Sequence, residues 1–391
     1  MAWMIREDQL DPQQKDFVNN ESRKDGNIWV KGFAGSGKSV LLVHSLKDIL
    51  RREPNATAAV VLYTHSLIDV FKTGMKEIGL SESIPVMTYY EFVDRNNSSY
   101  DYILCDEVQD LPERVLFSMQ NRAKKILVAG DSNQSIYNTD PKWNEPTVNP
   151  TQIGDIIKAR AFSLNMIHRL TRSIITAVQT LLPNMNIFGA ARDTTKVDVN
   201  IRLCEANSEQ EEIEYVFKES QKGTAVGESS VILLPTNNAI KKFVELLFKV
   251  NNKAFVSIPL NRFGDRPDYQ KLNINLKNEG IKAQFVGSGY GSLKDAENNK
   301  HTIIMTYHSA KGLDFDNVFL PFLNNSLYIT PNNEETLFMV AITRSRKNLY
   351  LSYFGYTHNL VDKFKSGCTE ISINQLNNNI NNNSQSDDFD F

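Results

Sequence analysis

Short apolar stretches alternate with longer segments of helical periodicity along most of the chain. The first stretch, residues 28–30, predicts a buried strand, and the apolar residues from Val40 to Leu50 recur at helical spacing. Further strands are predicted at 58–63, 102–105 and 125–129 in the first half, and at 161–164, 230–234, 281–286 and 302–306 in the second. This alternation is typical of α/β folds with parallel sheets.

The length and the distribution of proline predict two domains. A chain of 391 residues has room for about two cores. Residues 138–153 hold Pro141, Pro146 and Pro150 among polar residues and are predicted to carry the interdomain hinge. We therefore predict a first domain over 1–145, a hinge over 146–158 and a second domain over 159–372. The asparagine-rich and then acidic segment 373–391 has too little apolar surface to fold and is predicted to be disordered.

Charge and composition narrow the class of protein only slightly. A net charge of −3 argues against a generally basic nucleic-acid-binding surface but allows a local basic cleft. Three cysteines show neither pairing nor metal-binding spacing, which favours reduced thiols. The N-terminus carries charges too early for a signal peptide, and no uncharged run reaches the ~20 residues that span a bilayer. We expect a soluble, cytoplasmic protein.

Residues 32–39 fit the phosphate-loop pattern G-x-x-x-x-G-K-[ST] at every fixed position. The predicted strand before them and the predicted helix after them are the setting that this loop needs, because its backbone N–H groups and the helix N-terminus then face the phosphates. The pattern predicts a nucleoside triphosphate site in which Lys38 reaches the β- and γ-phosphates and Ser39 holds Mg²⁺. The remaining contacts would come from Gly35, Ser36 and Gly37.

A second candidate feature is the pair of carboxylates that follows the strand predicted at 102–105. Parallel strands end at one edge of the sheet, so Asp106 and Glu107 would lie beside the phosphate loop. Asp106 would hold Mg²⁺, and Glu107 would activate the attacking water. Taken alone, the pair is also compatible with a solvated acidic turn.

Six segments together make a resemblance to a family specific. The run Asp-Glu-x-Gln-Asp at 106–110, together with residues 10–14, resembles the UvrD/Rep group of superfamily 1 DNA helicases. Residues 130–137, 165–169, 305–315 and 340–346 resemble the third to sixth motifs of that family, in its order. The resemblance extends from about residue 8 to about residue 355. It implies two RecA-like P-loop NTPase domains, with ATP and Mg²⁺ in the cleft between them.

The resemblance also implies roles for residues at matching positions. Gln14 would read the adenine, Gln134 would sense the γ-phosphate, and Gly312 and Asp314 would line the sugar side of the nucleotide. Arg169 and Arg344 would approach the γ-phosphate from the second domain, which makes hydrolysis depend on cleft closure. For Arg169 a surface cation is the alternative, because Arg172 lies close by in the sequence.

Nucleic-acid contacts follow from the same resemblance. Aromatic faces stack on any base, and hydroxyls bind phosphates without sequence preference. Tyr63 is equally compatible with a core position. After Tyr137 the family has Arg-Trp-Arg where this chain has Asn-Thr-Asp, so a stacking tryptophan is missing, and Trp143 is the candidate replacement. The implied contact residues are Tyr63, Thr64, His65, Thr88, Tyr89, Thr306 and His308.

The short spacing between motifs leaves no room for the accessory domains that full-size relatives insert, so the resemblance implies a minimal two-domain motor. The predicted function is a DNA-stimulated ATPase that moves along single-stranded DNA, 3′ to 5′ by resemblance, with RNA still open as the track. The alternative is an ATP-gated nucleic-acid sensor or accessory subunit that acts with a partner such as a nuclease. For a nuclease activity of the chain itself, the sequence shows no convincing metal-binding carboxylate cluster beyond Asp106 and Glu107.

The last residues, 384–391, end in Asp-Asp-Phe-Asp-Phe. This end resembles the acidic tip of bacterial single-stranded-DNA-binding proteins, which implies a docking peptide for a protein partner. A solvated acidic tail without a partner is the alternative.

Overall fold

The computed structural model describes residues 4–131, 135–185, 191–192, 196–255, 257–261, 266–330 and 332–376. These residues form two compact α/β units. The first unit ends at Leu170 and also contains the short strand Ala191–Arg192, and the second begins at Thr171. Across the described ranges, no helix is both long and apolar enough to cross a membrane.

The first unit is built on a sheet of six parallel strands in the order β3-β2-β4-β5-β1-β6. Every residue of β2 is buried, as expected for a parallel strand that helices cover on both faces. The strands are β1 (Asn27–Gly32), β2 (Ala58–Leu62), β3 (Val86–Thr88), β4 (Tyr100–Cys105), β5 (Ala123–Gly130) and β6 (Ala159–Leu164), followed by β7 (Met166–Ile167), which pairs with β8 (Ala191–Arg192).

Local sequence explains the helices of the first unit. α1 begins where Asp11 accepts a hydrogen bond from Gln14 N and Pro12 occupies the first turn. The helix after the phosphate loop ends with Arg51 and Arg52, which both pair with the buried Asp48. The helices are α1 (Pro12–Asn19), α2 (Lys38–Arg52), α3 (His65–Glu77), α4 (Tyr89–Asp94), α5 (Glu113–Arg122) and α6 (Ile153–Ile156).

The second unit has a parallel sheet of seven strands in the order β11-β12-β10-β13-β14-β9-β15. The interior strand β10 is buried along its whole length and packs against the apolar faces of the flanking helices. The strands are β9 (Asn200–Ala206), β10 (Ser230–Leu234), β11 (Ala283–Phe285), β12 (Thr302–Thr306), β13 (Phe315–Leu320), β14 (Ser345–Phe354) and β15 (Thr369–Ser372).

Hydroxyl and carboxylate caps begin several helices of the second unit. Ser208, Thr236 and Asp268 each accept a hydrogen bond from a backbone N–H in the first turn. The helices are α7 (Arg172–Leu181), α8 (Glu209–Ala225), α9 (Asn237–Val250), α10 (Tyr269–Asn278), α11 (Leu293–Asn298), α12 (Glu334–Ile342) and α13 (Asn359–Asp362).

The predicted fold class, two RecA-like domains with parallel sheets, is confirmed, but the predicted domain boundary is wrong. Residues 159–164, assigned from the sequence to the second domain, form β6 and pair with β1 of the first sheet. The predicted hinge is also part of the first unit. Val148 N donates to Leu111 O at 2.8 Å, and Val148 and Ile153 are buried in that unit's core.

The start of the predicted tail is also corrected. Ile373 is fully buried in the core of the second unit, directly after β15. An isoleucine at this position supplies apolar surface that the asparagine-rich residues after it do not, so the folded chain extends past residue 372. Residues 377–391 lie outside the described residues.

Candidate active site

The phosphate loop connects β1 to α2 as the sequence predicts. Gly35 and Gly37 have φ values of +75° and +84°, a backbone conformation that residues other than glycine rarely adopt. Lys38 Nζ donates to the carbonyl oxygens of Gly32 and Phe33 at 2.8 and 3.1 Å. Ser36 Oγ is buried and has no hydrogen-bond partner within the described residues. A loop with a buried unsatisfied hydroxyl and a lysine folded onto its own carbonyls fits an anionic ligand.

Ser39 and Asp106 meet next to this loop. Ser39 Oγ donates to Asp106 Oδ2 at 2.5 Å, although β1 and β4 are separated by β5 in the sheet. Hydroxyl and carboxylate oxygens are the ligands that Mg²⁺ prefers, and Mg²⁺ usually takes only one or two protein ligands besides phosphate and water. The pair therefore fits a magnesium ion bound together with phosphate oxygens. Among the described residues, no group of three or more His, Cys, Asp or Glu side chains is arranged to hold a metal.

The two carboxylates after β4 have different environments. Asp106 is fully buried, and burial followed by the charge of Glu107 raises its pKa above the ordinary value. A bound divalent cation would act in the opposite direction and favour the carboxylate. Glu107 has a φ of +56° and donates its backbone N–H to Asp106 Oδ1 at 3.0 Å. This left-handed backbone is uncommon for a non-glycine residue, and such conformations concentrate at functional sites.

Gln109 joins this site although sequence reasoning gave it no role. Its Nε2 donates to Glu107 Oε2 at 2.6 Å, and its Oε1 accepts from Asp131 N at 3.2 Å. The available sequence signal was its place in the run Asp-Glu-x-Gln-Asp at 106–110, two residues after the predicted base. Gln134, the predicted γ-phosphate sensor, lies outside the described residues.

Gln14 lies against the phosphate loop from the side of α1. It is buried, its Nε2 donates to Ser36 O at 3.2 Å, and its Oε1 accepts from Asp11 N at 3.1 Å. A Cβ at Gly37 would lie 2.4 Å from Gln14 Nε2, so the glycine is needed for this approach. The structure thus places Gln14 beside the nucleotide loop, and its predicted contact with adenine stays a prediction.

Arg169 also lies against the loop, but from a different unit than predicted. It belongs to the first unit, and its backbone N–H donates to Gly35 O at 3.2 Å. The preceding residue, His168, donates its backbone N–H to the same oxygen at 2.9 Å, and its ring lies 2.6 Å from Asp11 Oδ2. The short strand β7 positions both residues. The assignment of Arg169 to the second domain is therefore wrong, and its contact with the γ-phosphate stays a prediction.

The second unit holds the other predicted nucleotide residues. Arg344, between α12 and β14, is buried and donates to Val340 O at 2.7 Å, to Leu313 O at 3.0 Å and to Thr343 Oγ1 at 2.8 Å. Gly312 has a φ of +80° in the turn between β12 and β13, and Asp314 directly precedes β13. The hydrogen bonds thus link Arg344 to the Gly312–Asp314 turn through Leu313.

The aromatic residues predicted to stack on bases are largely buried in the first unit. Tyr63 and Tyr89 are stacked with ring centroids 5.3 Å apart, and Tyr137 lies 5.0 Å from Tyr63. Tyr89 Oη donates to Asp140 Oδ1 at 2.5 Å, and Asp140 is itself fully buried. Burial raises the pKa of Tyr63 and of Tyr89 well above the ordinary tyrosine value. The open question for Tyr63 is decided in favour of a core position in this structure.

The remaining predicted nucleic-acid residues are buried or partly buried, and the threonines among them make local hydrogen bonds. Thr64 and Thr88 accept the capping hydrogen bonds of α3 and α4. His65 is half-buried and hydrogen-bonds to Tyr90 Oη, and burial lowers the pKa of its imidazole. In the second unit, Thr306 Oγ1 accepts from Ser309 N at 3.0 Å. All three threonines therefore hold local backbone structure, whatever else they bind.

Two half-buried rings beside this cluster carry nearby cations. Arg114 Cζ lies 4.5 Å from the centroid of the Trp143 ring, and Lys142 Nζ lies 5.6 Å from that of Tyr90.

In the second unit His308 is mostly buried, and burial followed by the charge of Lys311 lowers its pKa to about 4. His308 is therefore neutral at neutral pH.

Comparison with known families gives two matches that together span most of the folded chain. Residues 28–242 match the viral superfamily 1 RNA helicase core domain, and residues 284–356 match the UvrD-like helicase C-terminal domain. The first match alone covers more than half of the chain.

The curated relatives are distant and longer. The chain is 23% identical over 328 residues to the ATP-dependent DNA helicase PcrA of Staphylococcus aureus, covering 74% of this chain and 43% of PcrA. It is 26% identical over 212 residues to PcrA of Staphylococcus epidermidis, covering 51% and 27%. The chain thus spans less than half the length of these relatives. Among solved structures, the Arterivirus nonstructural protein 10 (helicase) has a TM-score of 0.43 and 13% identity over 91% of this chain and 64% of that chain.

Proposed function

The chain belongs to the superfamily 1 helicases of the UvrD/Rep-like group, and we propose that it is an ATPase that moves along single-stranded DNA. The 3′ to 5′ direction and the stimulation of hydrolysis by DNA are parts of the same proposal, as are ATP as substrate and Mg²⁺ as cofactor.

One arrangement carries the proposal. The phosphate-loop residues Lys38 and Ser39 lie beside Asp106 in the first unit, with a 2.5 Å hydrogen bond between Ser39 and Asp106 and with Glu107 next in the chain. A cation, a hydroxyl and two carboxylates of different environment supply what phosphoryl transfer to water needs: charge neutralisation, a metal site and a base.

Each residue of this arrangement has its own role in ATP hydrolysis. Lys38 exchanges its bonds to the loop carbonyls for β- and γ-phosphate oxygens. Ser39 and Asp106 would hold Mg²⁺, and the ion would supply neutralisation of the charge on the phosphates. Glu107 accepts a proton from the attacking water while the water oxygen bonds to the γ-phosphorus. The bond from that phosphorus to the β–γ bridging oxygen breaks, and ADP leaves with the electron pair.

We place the nucleic-acid contacts of the first unit at the surface of the aromatic cluster rather than in its interior. Tyr63 and Tyr89 contact each other and have no free face for a base. His65, Tyr90 and Trp143 are half-buried, and Lys142 and Arg114 lie near two of these rings. Rings with adjacent cations bind single strands by stacking and charge attraction. Thr306 and His308 remain the proposed contacts of the second unit.

The test is ATP turnover with and without single-stranded DNA, with single-stranded RNA as a parallel arm. Stimulation by DNA and loss of turnover in Lys38→Ala are expected, because the loop then lacks its cation. Turnover in Lys38→Ala within a few-fold of wild type would refute the site. Stimulation by RNA and not by DNA would support an ATP-driven motor that moves along RNA instead of DNA.

The altered sequence after Tyr137 favours a second candidate, an ATP-gated sensor or accessory subunit. Here Asn138–Asp140 replaces the family's Arg-Trp-Arg, and Asp140 is used inside the fold, where it accepts from Tyr89 Oη and from the backbone of Lys142 and Trp143. A sensor would hydrolyse ATP in the presence of DNA without displacing a roadblock from the strand.

Residues 384–391, outside the described residues, are proposed to dock a protein partner of DNA metabolism. Phenylalanines with acidic neighbours suit a basic-rimmed pocket. Removing residues 384–391 should leave DNA-stimulated ATPase unchanged and abolish binding to a purified partner. Equal binding by the truncated and full-length chains would favour a solvated tail.

A further inference from the structure

Gln109 connects two segments of the candidate site that are distant in sequence. It is fully buried. Its amide lies between the Asp106–Glu107 turn, which follows β4, and Asp131, which follows β5. The distances of 2.6 Å to Glu107 Oε2 and 3.2 Å to Asp131 N are both within hydrogen-bond range.

The two partners fix the orientation of the amide. Asp131 offers a backbone N–H, which needs an acceptor, and the Glu107 carboxylate oxygen accepts from a donor. A glutamine side chain supplies both the acceptor and the donor from one amide group. Glutamate would face Glu107 with a second carboxylate, and methionine, of similar length, would supply neither hydrogen bond.

Gly130 makes the space for this contact. A Cβ built at Gly130 would lie 2.4 Å from Gln109 Oε1. The end of β5 therefore approaches the amide closely enough that a larger residue at position 130 would displace it.

We infer that Gln109 is a positioning residue that holds the Glu107 carboxylate in place for proton abstraction from the attacking water. This inference rests on the proposed function. Glu107 sits on a left-handed backbone, and a hydrogen bond to its carboxylate limits the side-chain conformations that this backbone leaves open. Gln109 does not touch the substrate in this role and acts through Glu107.

The test compares Gln109→Met and Gln109→Glu with wild type in single-turnover ATP hydrolysis, nucleotide affinity and thermal unfolding. Loss of an oriented base is expected to lower the hydrolysis rate by roughly 10²-fold in Gln109→Met, with nucleotide affinity changed by less than about threefold. Gln109→Glu is expected to be at least as slow, because the new carboxylate would face the carboxylate of Glu107. Gln120→Glu is the matched control, since Gln120 donates to Ile156 O far from the loop and should leave hydrolysis unchanged.

The order of the two variants separates positioning from a purely structural role. If Gln109 only held the Asp131 backbone, Gln109→Glu, which keeps that acceptor, would be milder than Gln109→Met. That order would overturn the inference, as would hydrolysis within threefold of wild type in Gln109→Met.

A double-mutant cycle adds an independent readout. On a Glu107→Gln background, Gln109→Met should cost less than about threefold, because its target is already lost. An equal loss on both backgrounds would overturn the inference. Absence of ATPase from the wild-type chain would instead overturn the proposed function itself.

Discussion

Gly35 provides the sharpest structural test of the phosphate loop. Its φ is +75°, and its carbonyl oxygen accepts from the backbone N–H groups of His168 and Arg169. A Cβ at this position would lie 2.5 Å from Arg169 Cβ and 3.3 Å from Arg169 Cα. Gly35→Ala therefore adds a backbone penalty and an overlap at the same place. Gly26 is the matched control, because its φ is +83° and a Cβ there meets nothing within 4 Å.

The magnitudes follow from these contacts. A left-handed backbone costs an alanine roughly 1–2 kcal/mol, and the stiffer unfolded chain offsets roughly 0.4–1 kcal/mol of that. Gly26→Ala should therefore lower the free energy of unfolding by about 1 kcal/mol. In Gly35→Ala, relief of the overlap needs a shift of about 1 Å, since non-bonded carbons prefer about 3.5–4.0 Å. That shift strains two hydrogen bonds of about 1 kcal/mol each, for a total of about 3 kcal/mol.

The assay is urea unfolding of both variants, with a fluorescent nucleotide titration of each. Gly26→Ala should bind nucleotide like wild type, and Gly35→Ala should lose at least about tenfold in affinity, because the displaced loop no longer fits the phosphates. Equal unfolding free energies in the two variants, with unchanged nucleotide affinity, would refute the reasoning.

Three further results are expected. Arg344→Ala should keep nucleotide affinity within roughly tenfold and lower turnover by roughly 10³-fold, measured by steady-state kinetics, while its lost hydrogen bonds lower the unfolding free energy by about 1–3 kcal/mol. Burial raises the pKa of Glu212 to about 7, so unfolding releases its proton and stability should fall by roughly 3 kcal/mol from about pH 5 to pH 8. Glu212→Gln should remove that slope in urea unfolding. Trp143→Ala should weaken single-stranded DNA binding by about 1–3 kcal/mol in a fluorescence titration.

Sequence patterns predict the elements around the phosphate loop well because the relevant signals are local. Residues 28–30 lie within β1, and the helix from Lys38 to Arg52 follows the loop, as its apolar spacing indicates. The loop itself depends on glycines whose conformational freedom is visible in the sequence. The approach of Asp106 to Ser39 also follows from general topology, since parallel strands end at one edge.

The sheet to which β6 belongs and the existence of β13 were not predicted from the sequence. β6 pairs with β1 across a long sequence separation, and no periodicity in residues 159–164 reports that pairing. β13 escaped prediction because its residues Asp316 and Asn317 are buried polar groups, paired with Ser229 and Glu228, which interrupt the apolar pattern. Tertiary structure, and not local sequence, sets both the pairing of β6 and the side-chain contacts that keep Asp316 and Asn317 buried.

The side-chain roles that sequence reasoning missed share one cause. His168 and Asp11 act through a hydrogen bond to each other across a long stretch of chain, and Gln109 joins the nearby Glu107 to the more distant Asp131. Tyr63 was ambiguous because a strand-end aromatic suits either a core or a surface. Its stacking on Tyr89 decides the matter, and only the packed structure brings the two rings together.

The most direct test of the central claim is displacement of streptavidin from biotinylated single-stranded DNA. The wild-type chain should remove streptavidin from one end of the strand in an ATP-dependent reaction, and Glu107→Gln should bind ATP and DNA yet leave streptavidin in place, since only the base is lost. DNA-stimulated ATP hydrolysis without any displacement from either end would contradict a translocating motor and establish the sensor instead.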